Sequence, residues 1–336
     1  MKYKSFNVLS CVVVFLMMLN PAQAARVVTT DTVSEALAEG AILWDVRETD
    51  AYAEAHIPGA VNVGIRVCSK LRTPMNWDYV SIESITSRLG EWGIDPGREI
   101  VVYGDKGSAC PYFIQVSLEL IGAHSAHVYH GGIDDWRAAG LPLTSDVSKL
   151  PPLTLALEEQ PGVLVTTEEV TAAIGRSDVQ ILDVRSPKEF AGQDIRALRG
   201  GHVPGAINIP YEQNWVDPAA LIKSMADPAA SRDGFALKST EELRTVYETL
   251  DPDRETIIYC QSSPRASVSA TVLKDLGFGD VRVYDSSWVG YGNRFDLPAE
   301  NETFFDIYAL TRSLGAMQTR IEDLEKQLSD MEAARR

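Results

Sequence analysis

The sequence predicts an α/β protein of two similar domains, each a mainly parallel sheet flanked by helices, followed by a coiled-coil-like C-terminal helix. Three observations point there: short β-branched runs that alternate with helix-like segments, a pattern that recurs once along the chain, and a tail whose apolar residues step by three and four. Alternating strand and helix signals imply crossover connections, hence parallel strands covered on both faces.

The 336 residues suffice for two ordinary cores, and the first 24 stand apart from both. Lys2 and Lys4 precede "CVVVFLMML", which is too short and wrongly flanked to span a membrane, and Ala22 and Ala24 offer small residues for cleavage. Residues 1–24 are therefore expected to be a secretory signal peptide. A lipid anchor on Cys11 fits less well, because the apolar run follows that cysteine. Removing this stretch takes away two lysines and no acid, moving the formal net charge from −16 to −18. Such a field repels phosphate backbones and anionic lipids, so neither nucleic acid nor, after cleavage, a membrane is an expected partner. Cys68, Cys110 and Cys260 then remain, an odd number. In an oxidising compartment at least one thiol is free or pairs between chains; a Cys68–Cys110 bridge is open at this point.

The repeat organises the rest. "AILWDVRETDAYAEAHIPGAVNV" (41–63) is echoed by "QILDVRSPKEFAGQDIRALRGGHVPGAINI" (180–209), matching Asp45 with Asp183, Arg47 with Arg185 and His56 with His202. The second copy is eight residues longer between arginine and histidine, an insertion around "GQDIRALR". Each copy continues to a second strand, "EIVVYG" (99–104) or "ETIIYC" (255–260), then to a helix-like segment and to "AHVYHGGIDDW" or "VRVYDSSWVGYG". Domains are thus expected at 25–140 and 163–300. Between them, residues 141–162 contain four prolines and read as an extended linker. In the tail, 301–336, apolar residues fall at Ile307, Leu310, Leu314, Met317, Ile321, Leu324, Leu328 and Met331, a heptad seam that predicts a helix able to self-associate. A single amphipathic helix folded back on its own domain is the simpler alternative.

Cys260 ends an apolar strand, at the carboxyl edge where open α/β sheets form their ligand crevices. The next helix shows Ala266, Ala270, Leu273 and Leu276 on one side and ends at Gly277, a left-handed cap. "CQSSPR" (260–265) therefore wraps a helix N-terminus, whose N–H groups favour an anion, and Arg265 adds a positive charge. Both lower a thiol's pKa from about 8.5, and the thiolate is the reactive species. A buried, inert cysteine is the plain alternative.

The ordered set D-V-R, H-[IV]-P-G-A-[VI]-N in both halves, and C-x-x-x-x-R-A in the second half alone, resembles the tandem-domain rhodanese superfamily of thiosulfate and 3-mercaptopyruvate sulfurtransferases over about residues 30 to 298. The resemblance implies two rhodanese-like domains with the active site in the second. It implies that Cys260 takes sulfur from a small donor as a persulfide and yields it to a thiol, to cyanide or to a protein acceptor, with no cofactor or metal. Four residues separate Cys260 from Arg265, as in sulfurtransferases; related dual-specificity phosphatases have one more, which makes room for phosphate. The resemblance also assigns Arg185 as an anion-binding residue, Gln261, Ser262 and Ser263 as the substrate loop, and Arg196 or Arg199 as a substrate-carboxylate arginine; solvated charges are the alternative for those two. Departures stand at Ser263, where family loops of this length usually have glycine, and at Pro264, which removes one N–H and pushes Ser263 toward extended geometry. Gln261 and Ser262 replace the residues that help separate the two donor classes.

The first half has Gly104 or Asp105 where the second has Cys260, so it is expected to be catalytically silent. His56 and His202, present in both halves, read as fold residues. His124, His127 and His130 point in different directions near a strand and make a poor zinc set. Tyr211 and Trp215 either wall the cleft or fill the core. Two other functions compete: a non-turnover sulfur, selenium or redox carrier for a partner protein, and a coiled-coil scaffold with vestigial domains.

Overall fold

A computed structural model describes residues 25–64, 67–73, 78–123, 125–227 and 229–334. The expected signal peptide and His124 lie outside the described residues. Each half folds around its own sheet. In the first, β1 (Val27–Val28), β2 (Ile42–Asp45), β3 (Ile100–Tyr103) and β4 (Ala126–Tyr129) are parallel in the order β1-β4-β3-β2. In the second, β5 (Leu164–Val165), β6 (Val179–Asp183), β7 (Arg199–His202), β8 (Ile207–Asn208), β9 (Glu255–Tyr259) and β10 (Val281–Tyr284) follow. Its sheet runs β5-β10-β9-β6-β8, again parallel. The apolar runs are continuous because helices bury both faces: β2, β3, β4 and β6 are buried at every position. Short helices start at capping boxes, Thr166 with Glu169, Ser186 with Glu189 and Ser239 with Glu242.

Two expected boundaries shift. Glu300–Phe304 is a further strand, β11, antiparallel to β7, so the second domain runs past residue 300 and the terminal helix begins only at Ile307. β7 comes from the inserted segment, and its glycines admit β11: a Cβ at Gly200 would stand 2.4 Å from Thr303 Oγ1, and one at Gly201 2.4 Å from the Glu300 carbonyl. The linker is extended yet docked. His56 and Thr144 exchange backbone hydrogen bonds, and Leu150, Leu155 and Leu157 pack on the first domain's core.

The domains share apolar packing. The equivalent helices Cys110–Leu120 and Pro264–Asp275 lie against each other, and one apolar cluster joins Tyr112, Val116 and Val128 to Val268 and Val272. Gln115 and Thr271 sit at the repeat's own offset of 156 residues, and their side chains hydrogen-bond across the contact at 3.1 Å. This explains a face that sequence periodicity treats as polar: Ser267, Ser269 and Thr271 are fully buried, with Ser267 and Thr271 donating to carbonyls one turn back. Around the rim, Glu119 accepts from Arg26 at 2.7 Å and Lys274 at 2.6 Å. A disulfide joins Cys68 to Cys110 and ties the segment before Arg72 to a helix of the shared interface. Closing a loop of this length stabilises the fold by about 4 kcal/mol in the chain-entropy account.

His130 bridges the domains. Nε2 lies 2.7 Å from the Phe235 carbonyl and donates to it, and in the neutral ring Nδ1, 2.9 Å from the Tyr112 hydroxyl, accepts. Burial, aided by Lys106 and opposed by the Phe235 bond and Asp135, pushes its pKa down to about 4. The unfolded ring titrates near 6.5 and so binds more protons in between, which means stability falls as pH drops from about 6.5 to 4. His130→Gln is expected to flatten the dependence of the denaturation midpoint on pH in that window, while costing stability at pH 7. Equal slopes for both proteins would refute the bridge.

Candidate functional site

β9 hands the chain directly to Cys260, which turns away from the sheet while Tyr259 completes it. The cysteine is 1% exposed and is the free thiol among the described residues. The loop Gln261–Ser263 then folds back, and Pro264 opens the helix at a position where a missing N–H costs nothing. Ser263 departs from the extended conformation expected before proline. Its φ is +83° and ψ −46°, a region that favours glycine. Such a residue persists only where its surroundings over-determine it.

One side chain does so. Ser287, after β10, accepts from the Cys260 N–H at 3.3 Å and the Ser263 N–H at 3.2 Å, and donates to the Tyr284 carbonyl at 2.8 Å. It is fully buried at φ +50°. The signal for it was in the repeat. Ser287 occupies the place of Gly132, which has φ +55° in the first half, where Gly104 stands for Cys260. The Trp288 N–H bonds the Cys260 carbonyl as the Ile133 N–H bonds that of Gly104. Among the described residues, the N–H groups of Gln261, Ser262, Arg265 and Ala266 have no protein acceptor, which leaves four donors around the loop for an anion.

Arg265 reaches the site already paired. Its Nη1 and Nη2 each lie 2.8 Å from the carboxylate of Glu189, a residue the sequence reading missed, and its guanidinium sits over the Tyr211 ring. Glu189 also accepts from the Ser186 N–H and hydroxyl at 3.0 Å. Burial raises its pKa, but the Arg265 hydrogen bonds and charge overcome that and hold it at about 2. Burial in turn lowers the Arg265 pKa, while Glu189 and a charged Cys260 raise it to a net increase. Arg265 therefore supplies a carboxylate-bound cation, not a free one. Nearby Glu212 keeps Oε2 buried without a partner among the described residues, and burial pushes its pKa up.

The other side of the loop is held from the first domain. Arg72 Nη2 donates to the Ser262 carbonyl at 2.5 Å, Arg72 Nη1 pairs with Asp285, and the Tyr79 N–H reaches the same carboxylate at 2.9 Å. Asp78 accepts from the Ser286 hydroxyl at 2.6 Å. Burial raises the Asp285 pKa against the pull of Arg72. Gln261 Nε2 donates to the Arg196 carbonyl at 2.7 Å.

Two assigned arginines do not line this site. Arg185 is 1% exposed and spends its guanidinium on Asp183, at 2.6–3.0 Å, and on the Gly201 carbonyl. Arg47 does the same with Asp45 in the half without a thiol, so the pair is a fold element that closes the strand end. Arg199, also buried, pairs with Glu302 and the Arg294 and Leu297 carbonyls; the inserted strand turned it inward. Arg196 is half exposed at the loop's rim, 3.4 Å from Glu189. His56 and His202 each bond a carbonyl and stack on Tyr52 and Phe190. Tyr211 and Trp215 belong to the core. His127 bonds the Ala25 carbonyl, away from His130. A cavity of about 260 Å³ beside Val179 and Arg254 opens at the opposite, amino edge of the sheet and shares no residue with the loop.

Comparison with known proteins agrees with this architecture. The rhodanese-like domain family matches residues 29–139 and 166–294. The thiosulfate sulfurtransferase of Pseudomonas aeruginosa is 32% identical over 261 residues, covering 77% of this chain and 90% of that protein. The thiosulfate sulfurtransferase of Azotobacter vinelandii is 31% identical with the same coverage. Among solved structures, the anaerobic ergothioneine biosynthesis enzyme from Chlorobium limicola superposes with a TM-score of 0.70 at 21% identity, over 83% of this chain and 71% of that one, a likeness of fold. With its duplicated sheet and its thiol confined to the second half, the chain belongs to the rhodanese-like family as a tandem of two such domains.

Proposed function

We infer that this chain, a sulfurtransferase, moves sulfane sulfur from thiosulfate or 3-mercaptopyruvate through a persulfide on Cys260 to a thiol, to cyanide or to a protein acceptor. The observation that carries the reading is the loop itself: a free cysteine at the carboxyl edge of β9, followed by N–H groups at Gln261, Ser262, Arg265 and Ala266 that have no protein acceptor among the described residues, and by Arg265. The Cys260 thiolate attacks the outer sulfur of thiosulfate, the S–S bond of the donor breaks, and sulfite leaves with its electron pair. With mercaptopyruvate the C–S bond breaks instead, and pyruvate leaves as an enolate that takes up a proton. An acceptor thiolate or cyanide then attacks the terminal sulfur and releases the Cys260 thiolate. The unpaired loop donors stabilise charge on that terminal sulfur, and the Arg265–Glu189 pair fixes the helix from which they project.

We further propose that the protein is exported to the periplasm and self-associates through residues 301–336. The pattern of residues 1–24 supports the first, as does the Cys68–Cys110 disulfide, since such bonds persist in oxidising compartments. The exposed terminal helix supports the second.

Incubation with thiosulfate or mercaptopyruvate is expected to add about 32 Da, one sulfur atom, to the intact protein, and Cys260→Ser to abolish the gain. Cyanide should then discharge it as thiocyanate over many turnovers; one discharge without turnover would favour the carrier reading, and no adduct the scaffold. Glu189 makes a separate claim. Its folded pKa lies below the ordinary value, so its contribution is present above about 4.5 and is lost as pH falls through 2. Glu189→Gln is expected to lower stability by roughly 3 kcal/mol at pH 7, with the deficit shrinking as pH falls below 4.5. Urea titrations at pH 7 and 3.5 measure both; a deficit independent of pH would show that the ion pair is not its source.

A further inference from the structure

Among the described residues, the helix Ile307–Ala334 leaves the second domain exposed along nearly its whole length. All eight residues of its heptad seam are exposed, from Ile307 to Met331. A row of that many large apolar side chains is far outside what a solvated surface carries singly. With Ile307 at heptad position a, the a layers are Ile307, Leu314, Ile321 and Leu328 and the d layers Leu310, Met317, Leu324 and Met331. Two of the four a layers, Ile307 and Ile321, are β-branched and no d layer is, a bias toward two strands. The occupant this seam fits is therefore a second copy of itself.

The flanking charges choose the direction. Arg320 falls at a g position and Glu325 at the e position of the next heptad. In a parallel, in-register pair, each g residue faces the partner's following e residue, so Arg320 meets Glu325 twice by symmetry. In a fully overlapped antiparallel pair g faces g, and Arg320 would meet its own copy. A second observation agrees. Phe295, Phe304 and Phe305 form an exposed apolar patch at the root of the helix, with the first two rings 6.0 Å apart. Parallel pairing brings two such patches to the same end; antiparallel pairing separates them by about the helix length, roughly 40 Å.

We propose that the chain forms a parallel, in-register two-stranded coiled coil through Ile307–Ala334, its direction set by reciprocal Arg320–Glu325 pairs and its two catalytic domains held side by side at one end. This rests on the reading that the tail self-associates. The test uses the full chain. Light scattering should give twice the monomer mass, and deletion of residues 307–336, which spares β11, should give the monomer. Arg320→Glu and Glu325→Arg should each weaken dimerisation about five- to tenfold by placing like charges together, and the double variant should restore it. Met331→Cys should form an interchain disulfide on oxidation, mapped by mass to residue 331 and not to Cys260. A monomeric full chain would end the self-association reading altogether. A trimer or tetramer would overturn two strands, and a dimer without charge rescue or the residue-331 cross-link would overturn the parallel register. Sulfur uptake by Cys260 should be unchanged in these variants, which separates failure here from failure of the catalytic reading.

Discussion

Each half of the molecule grips the other's strand-end loop with an arginine. Arg72, in the excursion that follows the first His-Ile-Pro-Gly turn, bonds the carbonyl of Ser262; Arg232, in the corresponding excursion of the second half, bonds the carbonyl of Lys106. Lys106 and Ser262 are separated by the repeat's own offset, so the two contacts are images of one interaction across a pseudo-twofold. The residues after β4 and β10 repeat the exchange. His130 reaches Phe235 in the second domain, and its counterpart Asp285 reaches Arg72 and Tyr79 in the first. A buried guanidinium on a buried carboxylate is weak evidence for net stability but a strong constraint on geometry, because either partner left alone is costly. The sulfur loop thus has its shape imposed from outside its own domain.

That imposition gives the first half a part in the site. The first domain lacks a thiol but supplies the arginine, the Tyr79 N–H and Asp78 that bear on the loop at Ser262 and on Asp285 and Ser286. In its own loop, Gly107 packs so close to Phe235 that a Cβ would stand 2.2 Å from the ring. Two copies of the domain, only one of which has a cysteine at the strand end, thus form a symmetric clamp.

Much of this arrangement is legible in the sequence because it is local. The strands, the Cys260 turn, the Gly277 cap at φ +97° and the heptad seam all rest on neighbours within one or two turns. What escapes sequence reading depends on distant residues. Ser263 is extended by the rule for a residue before proline, yet two N–H bonds to Ser287 hold it at positive φ. Arg185 looks like a site residue because it follows a strand end, but only folding reveals that Asp183 and Gly201 consume it. Arg199 was turned inward by a strand that the insertion creates, and the hydroxyl face of the helix after Cys260 is buried by a helix 156 residues away.

The electrostatics of the loop follow from the same constraint. A formal net charge of −16 opposes the approach of any anionic donor, so attraction has to come from within a few ångströms of the sulfur, where solvent screening is weak. Arg265 cannot supply it alone, since Glu189 neutralises most of its charge. Backbone dipoles can: they need no counter-ion and stay oriented without a carboxylate beside them. Pro264 removes one donor and Ser287 occupies two more, which leaves Gln261, Ser262, Arg265 and Ala266. These four keep their orientation only while Ser263 holds its unfavourable turn. The strain at that serine, the hydroxyl of Ser287 beneath it and the arginine reaching in from the first domain are therefore one device: they fix the backbone of the loop that follows the buried Cys260 thiol.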